Sequence, residues 1–414
     1  MDGKIKIIIA VAAVAAIGMA GYNKLAGDLN QDPPITSLQA EFVGEVKPGQ
    51  TFTKRMFDVK GVTESGKVVQ INDFYSETEA AAENGDTCEV EIKAQDKSAT
   101  AIVNITREPV FQQNIGYPNE EDATVTCYAN GDLEFIGTGN ITNFGNNYPW
   151  QQYECSHVYI DEALNIETMD NWFSGNTNLV YCSNLPKTLK TLKNTFSGCS
   201  SLQKTPDYFQ CSNLKIMDYA FSGCSSLSEL DIIPVNVTSA KYAFEYCTSL
   251  KEPADLSKTS NLQDITGIHN GCSGLINVMN IPEGVRYMAA AFQGCLNIKE
   301  ATKFPDKVLN INSTYAGDSA LITAASIPED VTDCGNCYNG CSYLAGSLEI
   351  NTDTSNYSGL LVGATTNGDT LTISGNSGNL LAIQKDAGNR NIMLADPEAA
   401  SQQNERMLRE MEGE

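Results

Sequence analysis

Thirteen cysteines, two histidines and a surplus of carboxylates are the side chains in this sequence that could do chemistry. Cys334-x-x-Cys337, with Cys341 close behind, has the spacing of a metal-binding or redox pair. Cys341, however, belongs to a repeat described below, and no fourth ligand is near in sequence. A Cys334–Cys337 disulfide is the chemistry left to the pair. The histidines, His157 and His269, are too scarce to favour hydrolase or transition-metal chemistry. No Gly-Lys-Ser/Thr phosphate loop, His-Glu-x-x-His run or Gly-x-Ser-x-Gly elbow occurs. With 51 Asp+Glu against 27 Lys+Arg, paired carboxylates are abundant and mean little alone. The formal charge of −24 repels phosphate backbones and keeps an exposed protein soluble, which argues against nucleic acid as a partner. The residues therefore call for no catalytic group, no metal and no cofactor, and for no small-molecule substrate.

Six of the cysteines recur in one motif, aromatic-x-Gly-Cys-x-x-Leu. Its copies are Phe196 to Leu202, Phe221 to Leu227, Phe244 to Leu250, His269 to Leu275, Phe292 to Ile298 and Tyr338 to Leu344. Two further copies, Phe173 to Leu179 and Tyr315 to Leu321, carry Asn176 and Asp318 in place of cysteine. The equivalent positions 176, 199, 224, 247, 272, 295, 318 and 341 are separated by 23, 25, 23, 25, 23, 23 and 23 residues. A fixed period of this size marks a stack of like units. His269 occupies the aromatic position of its unit, so it is expected to be packed rather than catalytic.

The elements follow from the repeat. An apolar residue precedes proline in Leu185-Pro186, Ile281-Pro282, Phe304-Pro305 and Ile327-Pro328, each proline ten residues before the next aromatic. The Leu-led stretch reads as a short strand that the proline ends, and the following segment returns the chain. The glycine before the cysteine allows a tight corner. One such coil buries too little to fold alone, so neighbours must stack and hydrogen-bond to it. Stacked cysteines would lie about 4.8 Å apart, nominally within disulfide range. Their side chains would point the same way, and the slot also accepts Asn or Asp. The cysteines are therefore read as free, buried thiols at a turn position making local hydrogen bonds.

The repeat resembles the BspA-like, or Treponema pallidum-type, leucine-rich repeat, with its aromatic-x-x-Cys-x-x-Leu core and Ile/Leu-Pro step. The resemblance implies a solenoid that adheres to host matrix proteins, other cells or glycans, and brings no catalytic residues. The expected fold is mainly β, a solenoid of about eight 23–25-residue coils over 166–350. Segment 108–165, with Asn130-Gly131-Asp132 turning into a strand, is a β-rich N-terminal cap or adaptor. Segment 351–395 is a C-terminal cap, and 396–414 is an acidic helical tail. Asp396 caps that tail and Pro397 suits its first turn, with Met407, Leu408 and Met411 as one thin apolar edge.

Ahead of the repeats, residues 35–107 alternate in the strand period, as in Cys88 to Ile92 and Thr100 to Ile105. They resemble a bacterial Ig-like domain, a small β-sandwich that serves as a spacer. Residues 25–34 are a polar linker ending in Pro33-Pro34. Lys4 and Lys6 flank and lead an apolar run from Ile5 to Ala20, which reads as a secretory signal or an uncleaved membrane anchor within 1–24. Display at the cell surface, anchored or secreted, is the expected location.

The outward strand positions hold Glu229, Asp231, Glu252, Asn277, Glu300 and Thr323, a mildly acidic, concave strip suited to partner binding. Two functional classes follow. The first is a surface adhesin whose partner is a protein or glycan on another cell, matrix or particle, with the membrane reached through the N-terminal run. The alternative is a structural or receptor-binding component of a phage particle or other extracellular assembly, which borrows the same modules. An enzyme would require a hidden pocket with perturbed carboxylates.

Overall fold

The computed structural model describes residues 32–82, 87–183, 185–367 and 369–412. The apolar N-terminal run expected as signal or anchor lies outside the described residues. Among the described residues, no helix is long and apolar enough to cross a membrane.

The chain divides into two compact units. The first runs to Val110 and takes in Tyr128–Asn130. It is built from β1 (Ser37–Phe42), β2 (Phe57–Val62), β3 (Val68–Gln70), β4 (Tyr75–Ser76), β5 (Thr87–Ala94) and β6 (Lys97–Asn104). They form two antiparallel three-stranded sheets, β1-β2-β3 and β4-β5-β6. Alternation does the packing: Val90, Ile92 and Ala94 of β5 and Ala99, Ala101 and Val103 of β6 point inward, and their neighbours face water. Phe42, Phe52 and Phe57 meet edge to face and extend that core.

The second unit holds 111–127 and everything from Gly131 onward. It opens on β7 (Pro109–Asn114), β8 (Gly116–Tyr117), β9 (Ala123–Tyr128), β10 (Asp132–Gly137), β11 (Gly139–Ile141), β12 (His157–Ile160), β13 (Leu164–Asn165) and β14 (Tyr181–Cys182). Five of these form one sheet in the order β14-β12-β10-β9-β7. The β10–β9 pair is antiparallel, whereas β10–β12 and β12–β14 are parallel. That switch converts a meander into a coil, because β14 already belongs to the first repeat. Phe135 of β10 packs on Trp150, Trp172 and Phe173, so the cap's aromatic cluster runs into the core of the solenoid.

Within the solenoid, each coil is joined to the next along its return segment. A line of parallel bridges runs Thr168, Thr191, Ile216, Ser239, Asp264, Tyr287, Asn310 and Asp333. From there alternate N–H groups reach across: Leu192, Asn194, Phe196 and Gly198 donate to the carbonyls of Ile216, Asp218, Ala220 and Ser222. Several of the intervening N–H groups turn back on their own chain, as Thr195 to Leu192 and Ser197 to Asn194. Buried donors are thereby met without a conventional strand. The geometry needs two left-handed residues per coil, at the glycine before the cysteine and four residues earlier, as at Gly198 (φ +77°) and Asn194 (φ +53°). A Cβ at Gly198 would also sit 3.4 Å from the Cα of Gly175 one coil away, which leaves glycine as the ready choice.

This placement corrects the expected one. The unbroken ladder lies after the proline, not in the Leu-led stretch. There, bridges join only some neighbours: β14 to β12, Lys204 to Glu229, Glu300 to Thr323, and the terminal sheet. At one interruption the cause is plain: Thr205 and Ala301 donate N–H to the next coil, and Pro253 at the equivalent position has none to give.

The aromatic residues stack into one spine. Phe173, Phe196, Phe221, Phe244, His269, Phe292, Tyr315 and Tyr338 follow one another with ring centroids 5.2–6.1 Å apart, all near parallel. The solenoid also runs further than expected, to about ten turns. In the segment expected as a cap, Leu361 is buried in the aromatic position, and a Cβ on Gly363 (φ +73°) would sit 3.4 Å from the Cα of Gly340 one coil away. A parallel sheet of β15 (Gly346–Glu349), β16 (Leu371–Ser374) and β17 (Ile392–Leu394), with helix α1 (Leu380–Ala387), closes the stack. Helix α2 (Pro397–Glu412) follows, its first turn capped by Asp396, whose Oδ1 accepts the N–H of Ala399 at 2.9 Å. The side chains of Met407, Leu408 and Met411, expected as an apolar edge, lie outside the described residues.

Candidate functional site

All thirteen cysteines are free, and all but half-buried Cys88 are buried. The repeat thiols do not bond locally, as the spacing had suggested. Each donates to the main-chain carbonyl of the aromatic residue one coil upstream: Cys199 to Phe173 at 3.2 Å, Cys247 to Phe221 at 3.2 Å, Cys341 to Tyr315 at 3.1 Å. Burial pushes the thiols of Cys224 and Cys272 up to about 12, so they keep the proton they donate. Cys334 and Cys337 sit in two other core positions of their coil, unbridged, with Cys334 also held up at about 12 by burial. The slot is therefore a rivet between coils. Cys247→Ala is expected to lower the urea midpoint by the equivalent of about 1–2 kcal/mol, through a lost donor and a small void. An unchanged midpoint would remove the thiol from the account of stability.

His157 is the one histidine near a hydroxyl and a carboxylate. Ser156 Oγ lies 2.9 Å and Asp132 Oδ1 3.6 Å from its ring, both at Nδ1. A nucleophilic triad needs the hydroxyl and the carboxylate on opposite ring nitrogens. This group has the residue types of a triad and not its arrangement.

The residues expected to face a partner separate into a row and an outlier. Glu229, Glu252, Asn277, Glu300 and Thr323 come from five consecutive coils, at the same position of each, and all are exposed. They also touch along the row. Asn277 donates to both carboxylate oxygens of Glu252 at 3.0 Å, and Glu300 and Thr323 are bridge partners. Lys204 continues the line one coil upstream, 3.8 Å from Glu229. Both side chains of that pair are largely in water, so it stabilises little.

Asp231 departs from the row. It is half-buried, its N–H donating to Thr205 Oγ1 at 2.8 Å and its carbonyl accepting the hydroxyl of Tyr208 at 3.1 Å. Burial, with the Asp207 carboxylate beside it, holds its carboxyl above the usual range. It shapes the first 25-residue coil instead of presenting a charge.

Sequence spacing did not single out three tyrosines on the return segments. Tyr219, Tyr242 and Tyr246 occupy left-handed positions at φ +57°, +51° and +56°. Tyr219 and Tyr242 stack at 4.9 Å, and the rings of Tyr242 and Tyr246 lie over Gly267 and Gly271 of the next coil. Their signal in the sequence was a bulky residue where the other coils hold Gly, Asn, Ser or Ala.

The repeat matches a known family. The family model of the BspA type leucine rich repeat region matches residues 166–288 and 269–377, in six copies. A leucine-rich repeat protein from Bacteroides ovatus ATCC 8483 is 15% identical over 64% of this chain and 76% of its own, with a TM-score of 0.41. The T. pallidum leucine-rich repeat protein is 16% identical over 62% and 89%, with a TM-score of 0.29. One from Eubacterium ventriosum ATCC 27560 is 13% identical over 62% and 95%, with a TM-score of 0.25. No curated protein matches the chain. With the family's motif spanning half its length and setting the contacts between successive coils, the chain belongs to the BspA-type leucine-rich repeat family.

Proposed function

We propose that this is a surface-displayed, non-enzymatic binding protein of adhesin type. The solenoid offers the row from Glu229 to Thr323 to a protein or glycan on another cell, matrix or particle. One observation carries the reading: five exposed polar side chains leave consecutive coils at one position, while inward residues do all the packing. Such a row can change to suit a ligand without disturbing the fold, which is how repeat solenoids come to bind proteins. Residues 35–107 serve as an Ig-like spacer, and the apolar run before them exports or anchors the chain.

Display and binding are tested separately. On intact source cells, added protease is expected to cleave a chain recovered from the membrane fraction. Recovery of the whole chain in soluble particles would overturn surface display and favour the assembly-component reading. For binding, the labelled full chain is applied to arrayed matrix proteins and glycans beside the Glu229→Gln/Glu252→Gln/Glu300→Gln triple variant. The variant is expected to lose at least tenfold in signal with its melting temperature unchanged. Equal binding would rule the row out as the ligand face.

A further inference from the structure

Left-handed backbone is costly for a bulky side chain, and the solenoid shows where it is avoided. At the row four residues before the left-handed glycine, the other coils use Asn171, Asn194, Gly267, Ala290, Ser313 and Asn336. At the glycine row itself, Tyr246 alone breaks a series that includes Gly198, Gly223, Gly271 and Gly294. Asn and Gly take this conformation at little cost, and tyrosine does not. All three exceptions are tyrosines confined to two adjacent coils. Stacking offsets part of the cost for Tyr219 and Tyr242. It does nothing for Tyr246, which is 56% exposed and has no ring partner among the described residues.

The surroundings are acidic. The half-buried Glu245 carboxylate accepts the Ser222 hydroxyl at 3.0 Å, and Asp218 and Asp264 flank the same coils. Lys241, on the same coil as Glu245, is already committed to Asp264 at 3.1 Å. Aromatic rings beside carboxylates in excess match a guanidinium or ammonium group, which gains from the ring quadrupole and the negative field together. A polyanion or a second copy of a chain with a formal charge of −24 would be repelled.

We propose that Tyr219, Tyr242 and Tyr246, with Glu245, form a docking patch for an arginine- or lysine-bearing peptide segment of a partner protein. It lies on the return segments, apart from the Glu229–Thr323 row, and stands whether or not that row binds anything.

The full chain is titrated at physiological ionic strength with a fluorescent Gly/Ser peptide carrying two arginines. Tyr246→Gly restores the residue of the other coils, so it is expected to leave the melting temperature unchanged or raised while weakening the peptide at least fivefold. Glu245→Gln is expected to weaken it about threefold, and the triple glutamine variant of the row to leave it within twofold. Absence of peptide binding overturns the proposal, as does equal affinity in Tyr246→Gly. A melting temperature several degrees lower in Tyr246→Gly would make Tyr246 a packing residue and overturn it too. A neutral oligosaccharide bound in place of the peptide, and lost in Tyr246→Gly, would replace the proposed partner with a glycan.

Discussion

Acidification from pH 6.5 to pH 3 is expected to remove on the order of 5 kcal/mol from the solenoid through His269 alone. The ring is wholly buried in the aromatic spine, between Phe244 and Phe292, and burial lowers it from 6.5 to about 3. Its Nε2 accepts the N–H of Ala254 at 3.1 Å, which only the neutral ring can do. As the pH falls below 6.5, the unfolded chain takes up a proton that the folded chain refuses. The contribution is therefore complete above 6.5 and drains away toward 3. Urea midpoints at pH 7 and pH 4 measure it, beside His269→Phe. That variant should lose about 1–3 kcal/mol at pH 7, because Ala254 is left without an acceptor, and should show a flatter acid slope. His269→Tyr should lose less at pH 7, since Tyr315 and Tyr338 already meet the equivalent N–H of Thr302 and Ala325 at 2.9 and 3.0 Å. Matching acid slopes in wild type and His269→Phe would dismiss the histidine as the cause.

Asp318→Asn is expected to stabilise the protein by about 2–4 kcal/mol at neutral pH. Asp318 fills the cysteine slot of its coil, with its side chain completely buried. One oxygen accepts the N–H of Cys295 at 2.7 Å, and the other, Oδ2, meets no donor. In the neighbouring coils the slot donates a proton to a carbonyl, which an ionised carboxylate cannot do. Burial accordingly drives its carboxyl well above the usual carboxylate range. The sign is opposite to that of His269. Here the folded chain holds the proton longer than the unfolded chain, so the contribution is complete below about 3.8 and is lost as the pH rises through the folded value. The gain from Asp318→Asn, read as a difference in melting temperature, should thus grow between pH 4 and pH 8. A gain that stays constant across that range would mean that the carboxylate is ionised throughout.

What could be read in advance was whatever the period carried. Aromatic, glycine and cysteine recur because each meets its own copy in the next coil, so spacing alone exposes the stack. The partner of each thiol stayed hidden, because it is a main-chain carbonyl 26–28 residues upstream and leaves no mark on side-chain identity. The ladder was assigned to the wrong stretch for a related reason. A run such as Asn194-Thr195-Phe196-Ser197-Gly198 has the composition of a turn, and its cross-coil bonds arise only from alternating direction along the backbone. The extra turn at Ala364 had lost both aromatic and cysteine, and only Gly363, one period after Gly340, betrayed it. Asp231 reads as outward on strand alternation, but Tyr208 of the preceding, 25-residue coil reaches across to its carbonyl. The row from Glu229 to Thr323 was otherwise visible as one position of the repeat that stays polar in five successive coils.

The return segments bear on how such a molecule yields to force. Successive coils are joined by main-chain bonds repeated at the same four positions, so a load applied to the chain ends falls on one junction before the next. A 23-residue coil drawn straight spans roughly 76–83 Å, where in the stack it occupied about 4.8 Å. Stretched between two bodies, the solenoid would lengthen in steps of about 7 nm while the remaining coils stayed wound, and a tether that gives in this way absorbs a jolt without breaking its grip at either end.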